Sequence, residues 1–301
     1  VKYNPEVIHG RSFVPSFAGF LISIITGKKF VFDMRGFWLE ERIDGNIWDM
    51  SKLRFKILYR VLKYVEERML YRANCIIVLT REAREFLIKK YPALSNKVFV
   101  IPCASVISVE PPSCSSDKYI CLIHGSLGDW YELPSMFLFL KVFTDEFNGY
   151  AHILTPHTQK AIELSEKLGI SPERLLIKEV PLHEIGEFMK EATFGLFFLK
   201  KTFSKIGSFP VRLSEYTCCG VPVVCNDYGA TSFIRKHNCG FILEKLSVEY
   251  FREILPVLLE KITSIDRKKL RETGMRYIHL EAIQKKYLSL YSSGLKTIAT
   301  D

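Results

Sequence analysis

An arginine and a glutamate stand three positions apart near the start of a predicted helix, in the stretch "GSFPVRLSEYTCCGVPVV". Pro210 suits the first turn of this helix, and Gly207 and Ser208 allow the preceding backbone to approach a ligand closely. Unpaired N–H groups and the helix dipole favour an anion there, and Arg212 adds bidentate contacts to phosphate oxygens. Glu215 lies one turn deeper and can accept two sugar hydroxyls. The pattern predicts a nucleoside diphosphate site, although an exposed Arg–Glu ion pair has the same spacing.

A second stretch, "HGSLGDWYEL", follows an apolar strand that ends near Gly125. Ser126 and Leu127 open this loop and, with Gly128, form a candidate loop beside a phosphate or a sugar. A tight turn between a strand and a helix explains the same residues. Both interpretations stay open on the sequence alone.

Short apolar strands alternate with amphipathic helices along the chain, which is typical of parallel sheets covered by helices. We predict an α/β fold with two tandem Rossmann-like domains, each a doubly wound parallel sheet. The first domain spans 1–108 and is expected to lack its opening βα units. A linker rich in Ser and Pro spans 109–118, and the second domain spans 119–301, its last helix packing back towards the first. Ligands of such sheets bind beyond the carboxyl ends of the strands.

Hydrophobic residues make up 48% of the 301 positions and charged residues 25%, as in ordinary globular proteins. The eight cysteines form no CxxC pair and have no histidine at zinc spacing. We therefore expect a cytoplasmic protein with reduced thiols and no metal site. The apolar run Phe13–Gly27 is too short to span a bilayer and predicts a buried helix.

The net charge of +9 is concentrated in the first part of the chain. Residues 1–112 hold 18 Lys and Arg against 11 Asp and Glu, whereas the remaining residues hold 24 against 22. A helix predicted over Lys52–Arg72 carries seven of these cations beside apolar residues. A solvated helix with one face in the core explains this pattern, and so does a helix that docks on an anionic membrane. Nucleic acid is not an expected partner, because RNA-binding and helix-turn-helix motifs are missing from the sequence.

Three stretches, in this order, resemble segments of glycosyltransferase family 4, which has the GT-B fold: "FDMRGFWLEERIDGNIW" (Phe32–Trp48), "HGSLGDWYEL" (His124–Leu133) and "SFPVRLSEYTCCGVPVV". The third is similar to the family's nucleotide-sugar signature, and the first two to its capsular and exopolysaccharide branch. The resemblance runs through both domains. It implies a retaining enzyme that moves a sugar from a nucleotide sugar to a glycan or a lipid-linked glycan, without a metal ion or other cofactor. It also implies a role in cell-surface polysaccharide biosynthesis, in capsule or lipopolysaccharide.

The resemblance also suggests donor-side residues. Glu215 matches the carboxylate that binds the ribose hydroxyls, whereas Gly207 stands where many members carry a second glutamate. The loops that bind the base are expected after two strands, at Pro156 and at Val180 and Pro181. The expected ligands of the diphosphate are Lys200, Lys205, Ser208 and Arg212.

On the acceptor side, the family often carries His-x-His after a strand of the first domain. Here His9 is the first of these positions, and Arg11 replaces the second. We expect His9, Arg11, Asp33 and Arg35 to form the catalytic group, although a backbone hydrogen bond would explain His9 alone. Two arginines at neighbouring strand ends favour an acceptor that carries phosphate, because a buried cation without a partner is costly.

Gly207 and Arg11 are departures from the family pattern, and they motivate an alternative hypothesis. In it, the protein binds a nucleotide or a glycan with little or no catalysis and serves as an assembly subunit. Under the main hypothesis, the protein is cytoplasmic. A peripheral location on the inner face of the plasma membrane is an additional expectation.

Overall fold

The computed structural model describes residues 4–111 and 118–295. The chain forms two compact units. The first unit comprises Val1–Pro102, Lys201–Phe209 and Ile283–Asp301, and the second comprises Cys103–Lys200 and Pro210–Ala282. The first unit thus includes two segments that lie within the predicted second domain, 119–301. Of the predicted linker, 109–118, positions 112–117 lie outside the described residues.

The first unit contains a parallel sheet of four strands in the order β1-β2-β3-β4. The strands are β1 (Val7–Arg11), β2 (Lys29–Asp33), β3 (Cys75–Val78) and β4 (Val98–Val100). The connecting helices are α1 (Phe13–Thr26), α2 (Trp38–Asp44), α3 (Leu53–Arg72) and α4 (Arg81–Lys90), with 3-10 turns at Pro92–Leu94 and Phe203–Gly207. Because right-handed crossovers that advance in one direction cover one face of a sheet, α1 and α3 are neighbours.

The end of α3 is fixed to the end of α1. The guanidinium of Arg72 donates to the carbonyl oxygens of Ser23, at 2.8 Å, and Lys28, at 3.1 Å. Helix α1 occurs where the sequence predicts it, but the expectation that it is buried is wrong for one face. Phe13, Ser16, Gly19 and Ser23 are buried against the sheet, whereas the opposite face is exposed. Apolar content shows that a segment can be buried. The elements that pack against the segment decide which of its faces is buried.

The second unit contains a six-stranded parallel sheet in the order β10-β9-β8-β5-β6-β7. Its strands are β5 (Ile120–His124), β6 (Tyr150–Leu154), β7 (Leu175–Lys178), β8 (Phe194–Phe197), β9 (Val223–Asn226) and β10 (Gly240–Leu243). Its helices are α5 (Leu133–Glu146), α6 (Thr158–Lys167), α7 (Ile185–Glu191), α8 (Val211–Cys218), α9 (Thr231–His237), α10 (Val248–Thr263) and α11 (Arg267–Tyr277), with a 3-10 turn at Pro172–Arg174. The last helix, α12 (Leu280–Ser292), lies in the first unit from Ile283 onwards.

The strand order of the second sheet reverses between β5 and β8. Such a switch point leaves a crevice at the carboxyl ends of the two strands, where ligands of α/β sheets bind. Helix α8 packs close to this place because Gly195 of β8 has no side chain. A Cβ atom there would lie 2.4 Å from the ring of Tyr216, whose hydroxyl donates to the Leu122 carbonyl at 2.7 Å.

The predicted fold class, α/β with two parallel Rossmann-like sheets, is confirmed. Among the described residues, no helix combines the length and the apolar character needed to cross a bilayer.

Candidate functional site

Three polar side chains meet at the carboxyl end of β5, beside the switch point of the second sheet. His124 is the last residue of β5, and Arg212 and Glu215 lie in successive turns of α8. Their exposed fractions are 3%, 5% and 9%. Charged groups are rarely buried this far unless they are paired or hold a ligand. Arg212 and Glu215, which the helix motif predicts, therefore lie in one buried polar group with His124, which the motif did not suggest.

His124 and Glu215 form a direct pair. Nε2 of His124 lies 2.6 Å from Oε2 of Glu215, and the imidazole meets the ring of Tyr216 edge-on with centroids 4.6 Å apart. Burial lowers the pKa of His124, although Glu215 opposes this shift. At neutral pH the imidazole is therefore uncharged and donates its Nε2 proton to the carboxylate. The other carboxylate oxygen of Glu215 makes no hydrogen bond within the described part of the chain and is free to accept ligand hydroxyls.

Arg212 lies beneath the loop that follows β5. Its Nη2 donates to the carbonyl oxygen of Ser126 at 2.8 Å, and its guanidinium lies over the ring of Tyr131, 4.1 Å from the centroid. Gly125 adopts a positive φ of 86° and leaves room for this contact. Nη1 of Arg212 is buried without a hydrogen-bond partner in residues 4–111 and 118–295. An unsatisfied cationic donor is costly in a protein interior, so this atom indicates a place for an anion.

The loop itself is fixed to α6. The Leu127 N–H donates to Nδ1 of His157 at 3.1 Å, and its carbonyl accepts from Nζ of Lys160 at 3.0 Å. The side chain of Leu127 is buried, whereas Ser126 is exposed. Of the two predicted loop residues, Ser126 can therefore meet a ligand, and Leu127 holds the loop in shape.

The predicted base loops lie at the same edge of the sheet. Pro156 and Pro181 are exposed and Val180 is half-buried, and the N–H of Thr155 donates to the Lys178 carbonyl at 3.0 Å, which joins the two loops. Lys200 follows β8, and its N–H donates to the Trp130 carbonyl at 3.1 Å.

Lys205 and Ser208, which the sequence predicts as ligands of the diphosphate, lie in the first unit. Lys205 is 4% exposed, and its Nζ lies 3.5 Å from Oε1 of Glu41. Burial lowers the pKa of Lys205. The 3-10 turn Phe203–Gly207, which contains Lys205, packs with α2.

Gly207 fits a tight space in the first unit. A Cβ atom at this position would lie 3.2 Å from Cδ2 of Phe37 and 3.3 Å from Cα of Gly36. The second glutamate of the family pattern would therefore require these neighbours to move. The packing gives a physical reason why this chain carries glycine here.

The first unit has its own polar cluster at the ends of β1 and β2. Asp33 is 1% exposed, and its Oδ2 accepts from the Tyr287 hydroxyl at 3.1 Å and lies 3.4 Å from Nε2 of His9. Nδ1 of His9 is hydrogen-bonded to the Tyr291 hydroxyl. Burial and the nearby Asp33 raise the pKa of both tyrosines, so their hydroxyls stay protonated at neutral pH.

The two predicted arginines lie at the same end of this sheet. Arg11 is exposed and stands in register with Asp33, and Arg35 is half-buried with a φ of 59°. The structure thus brings together all four residues predicted for the acceptor side. Sequence reasoning missed the two tyrosines of α12 and His124. Only the position of His124 at the end of an apolar strand could have suggested it.

Within the described ranges, no three His, Cys, Asp or Glu side chains are grouped so that they could hold a metal ion.

Comparison with protein families gives two matches. Residues 1–105 match the model described as Glycosyltransferase Family 4, and residues 148–276 match the model described as Glycosyl transferases group 1. The second segment contains Arg212 and Glu215. No curated protein sequence matches the chain.

Several solved structures share the fold at low sequence identity. Sucrose-phosphate synthase from Thermosynechococcus elongatus has a TM-score of 0.73 and 14% identity, over 97% of this chain and 74% of that one. HepE from Anabaena, in complex with UDP, has a TM-score of 0.69 and 13% identity, over 96% and 79%. The lipopolysaccharide outer core galactosyltransferase WaaB has a TM-score of 0.65 and 15% identity, over 97% and 76%. Two glycosyltransferase family models thus match separate segments of the chain, and the chain shares the two-domain GT-B fold of these solved structures.

Proposed function

We propose that the protein is a retaining glycosyltransferase that moves a sugar from a nucleotide sugar to a glycan or lipid-linked glycan in cell-surface polysaccharide biosynthesis. The observation that carries this proposal is the buried group of His124, Glu215 and Arg212 at the switch point of the second sheet. It offers a carboxylate for hydroxyl groups and a guanidinium for phosphate within one site. No resident metal ion is part of the proposal.

The donor is bound in this proposal by complementary polar groups. Glu215 keeps one oxygen on His124 and accepts ribose hydroxyls with the other, which orients the nucleoside. Nη1 of Arg212 and the N-terminus of α8 receive the diphosphate, since both present unpaired donors to an anion. Pro156, Val180 and Pro181 supply backbone groups near the base.

The transfer breaks the bond between the anomeric carbon and a phosphate oxygen and forms a bond from the acceptor oxygen to that carbon. The acceptor hydroxyl releases its proton to water, and the nucleoside diphosphate leaves with one additional negative charge. Arg212 and Lys200 stabilise that charge as it develops, and fixed donors of this kind typically lower barriers by several kcal/mol. Retention means that the new bond forms on the face from which the diphosphate departs.

The acceptor is assigned to the cluster in the first unit. Tyr291 and Asp33 hold the ring of His9 at its two nitrogens, and Tyr287 donates to Asp33. Arg11 and Arg35 supply positive charge for a phosphate-bearing acceptor. A cytoplasmic location fits such a substrate.

The alternative is a GT-B protein that binds a nucleotide or a glycan in an assembly, with weak catalysis or none. Gly207 favours it, because the site lacks the second glutamate of the family pattern and the packing leaves little room for one.

A panel of nucleotide sugars tests the proposal. UDP-sugars come first, since HepE was solved with UDP. We expect one base to raise the melting temperature, because a ligand that binds only the folded state stabilises it by mass action. Slow hydrolysis of the same nucleotide sugar to free sugar would support catalysis. Binding without release of the nucleoside diphosphate in the presence of any acceptor supports the assembly subunit. No shift with any nucleotide sugar contradicts the proposed transferase and leaves only a glycan-binding form of the alternative.

A further inference from the structure

Two adjacent helices of the first unit expose an apolar surface, here called the α1–α3 surface. It is centred on Val14, Leu21 and Ile25 of α1 and Leu53, Ile57 and Val61 of α3. Their exposed fractions run from 44% for Leu21 to 83% for Ile25. Single exposed apolar residues are normal, but several exposed apolar residues grouped on neighbouring helices indicate an interaction site.

The spacing shows that these residues form two stripes. Val14, Leu21 and Ile25 are seven and four positions apart, so they lie on one face of α1. Leu53, Ile57 and Val61 recur every four positions on α3. Each stripe points away from the buried side of its own helix, which packs on the sheet. Apolar stripes of this kind are ordinarily covered by a lipid bilayer or by another molecule.

Positive charge surrounds the apolar stripe of α3. Arg54, Lys56, Arg60 and Arg68 are exposed. None of the four forms an ion pair with a carboxylate in residues 4–111 and 118–295. Helix α1 contains no charged residue.

The acidic residues of α3 do not cancel this charge. Glu66 is buried and paired with Lys63. Glu67 is half-buried, so at most one partly exposed carboxylate of α3 faces four exposed cations. The surface therefore combines insertable apolar side chains with unneutralised cations.

We propose that the α1–α3 surface docks on an anionic lipid bilayer, with both helices parallel to the membrane plane. The apolar stripes enter the boundary between headgroups and acyl chains, and the cations of α3 bind lipid phosphates. Amphipathic helices bind membranes in this way, and each basic residue near an anionic surface adds to the affinity. Docking would bring the protein to the membrane that holds the proposed lipid-linked acceptor. The docking itself does not depend on the donor site.

The charges favour a membrane over a second copy of the chain. A two-fold symmetric dimer through this surface would bring α3 cations of one copy against the same cations of the other. Like charges at close range oppose such an interface. An anionic bilayer instead complements them.

Sedimentation with vesicles tests the docking. The full-length protein is mixed with vesicles of phosphatidylcholine alone or with about 30% phosphatidylglycerol, without nucleotide or acceptor, at two salt concentrations. We expect binding to the anionic vesicles that weakens as salt rises. The double variant Arg60→Gln/Arg68→Gln should bind about 20-fold more weakly, since each lost cation costs about 5-fold.

Matched variants separate the surface from general effects. Val61→Ser and Val257→Ser change valines that are both 53% exposed, but Val257 lies on α10 of the second unit. Only Val61→Ser should weaken vesicle binding, by about 3-fold to 10-fold. Lys268→Gln/Lys269→Gln removes two exposed cations of α11 and should have little effect.

Three results would overturn the proposal. They are equal binding to both vesicle types, no binding to either, and a concentration-dependent dimer that Val61→Ser dissociates. Loss of vesicle binding in variants that still bind a nucleotide sugar leaves the proposed function intact. Vesicle binding by a protein that binds no nucleotide sugar instead supports the docking and contradicts the function.

Discussion

Both units place a histidine and a carboxylate together at the carboxyl end of a parallel strand, but they expose opposite partners. In the second unit, Nε2 of His124 lies 2.6 Å from Glu215, and the side chains are 3% and 12% exposed. In the first unit, Nε2 of His9 lies 3.4 Å from Asp33, and the side chains are 26% and 2% exposed. The carboxylate is therefore the more exposed partner in the second unit, and the imidazole in the first.

This difference suggests different roles for the two pairs. A buried neutral imidazole that donates to Glu215 fixes the orientation of the carboxyl group, as recognition of hydroxyl groups requires. In the proposed function, the buried Asp33 orients the more exposed His9 on the acceptor side. The predictions below test this division, from the largest expected effect to the smallest.

The largest effect is expected from Glu215→Ala. It removes the hydroxyl acceptor and leaves His124 buried without its partner, so affinity for the nucleotide sugar should fall about 100-fold. Calorimetric titration measures this loss, with Glu260→Ala on the exposed side of α10 as the control. Unchanged affinity in Glu215→Ala would remove this residue from the donor site.

Arg212→Lys should lower kcat/KM about 10-fold. Lysine keeps the charge but cannot both donate to the Ser126 carbonyl and lie flat over Tyr131. The matched control is Arg276→Lys, because exposed Arg276 also lies over a tyrosine, Tyr277. Equal activity of the two variants would show that the guanidinium has no special part in transfer.

Tyr291→Phe should reduce acceptor-dependent turnover about 5-fold, because His9 loses the hydrogen bond to its Nδ1. Affinity for the nucleotide sugar should stay the same, since His124, Arg212 and Glu215 are untouched. Tyr119→Phe, at an exposed tyrosine of the second unit, controls for removal of a hydroxyl group. If Tyr291→Phe weakened nucleotide-sugar binding by the same factor as it reduced turnover, the assignment of the first cluster to the acceptor would be contradicted.

The smallest effect concerns stability against pH. Burial lowers the pKa of His124 below its usual 6.5, so the unfolded chain binds more protons than the folded one below that pH. The stability gained by keeping His124 neutral is complete above about pH 6.5, and it is lost as the pH falls towards the lowered pKa. The free energy of unfolding in urea should therefore drop less between pH 7.5 and pH 5.5 in His124→Gln than in the unchanged protein.

His152 provides an internal comparison, because burial lowers its pKa as well. His152→Gln should reduce the pH dependence independently, and the two variants combined should reduce it further. Identical pH profiles for the unchanged protein and His124→Gln would show that His124 does not titrate as its burial requires.

The fold was predictable from the sequence, and so was the closeness of Arg212 and Glu215, for physical reasons. Buried parallel strands are nearly uniform in apolar character, and Arg212 and Glu215 stand one turn apart on one helix. The contact of Lys205 with Glu41 could not be predicted, because 164 positions of sequence separate the two residues. Tyr291 could not be inferred, since it meets His9 across 282 positions of sequence.

The exposed face of α1 was also beyond the sequence. Its composition shows that the helix avoids charge, but not which side faces the sheet or whether anything covers the other. Packing partners decide that, and they come from the tertiary structure.

The most direct test of the donor site compares two forms of one nucleoside diphosphate, with and without the ribose 2′ and 3′ hydroxyls. Calorimetric titration of the unchanged protein should show about 10-fold tighter binding of the form with hydroxyls, because Glu215 accepts from them. In Glu215→Gln the preference should shrink to less than about 3-fold. An equal preference in both proteins would contradict the claim that the His124–Glu215 pair recognises the donor's ribose.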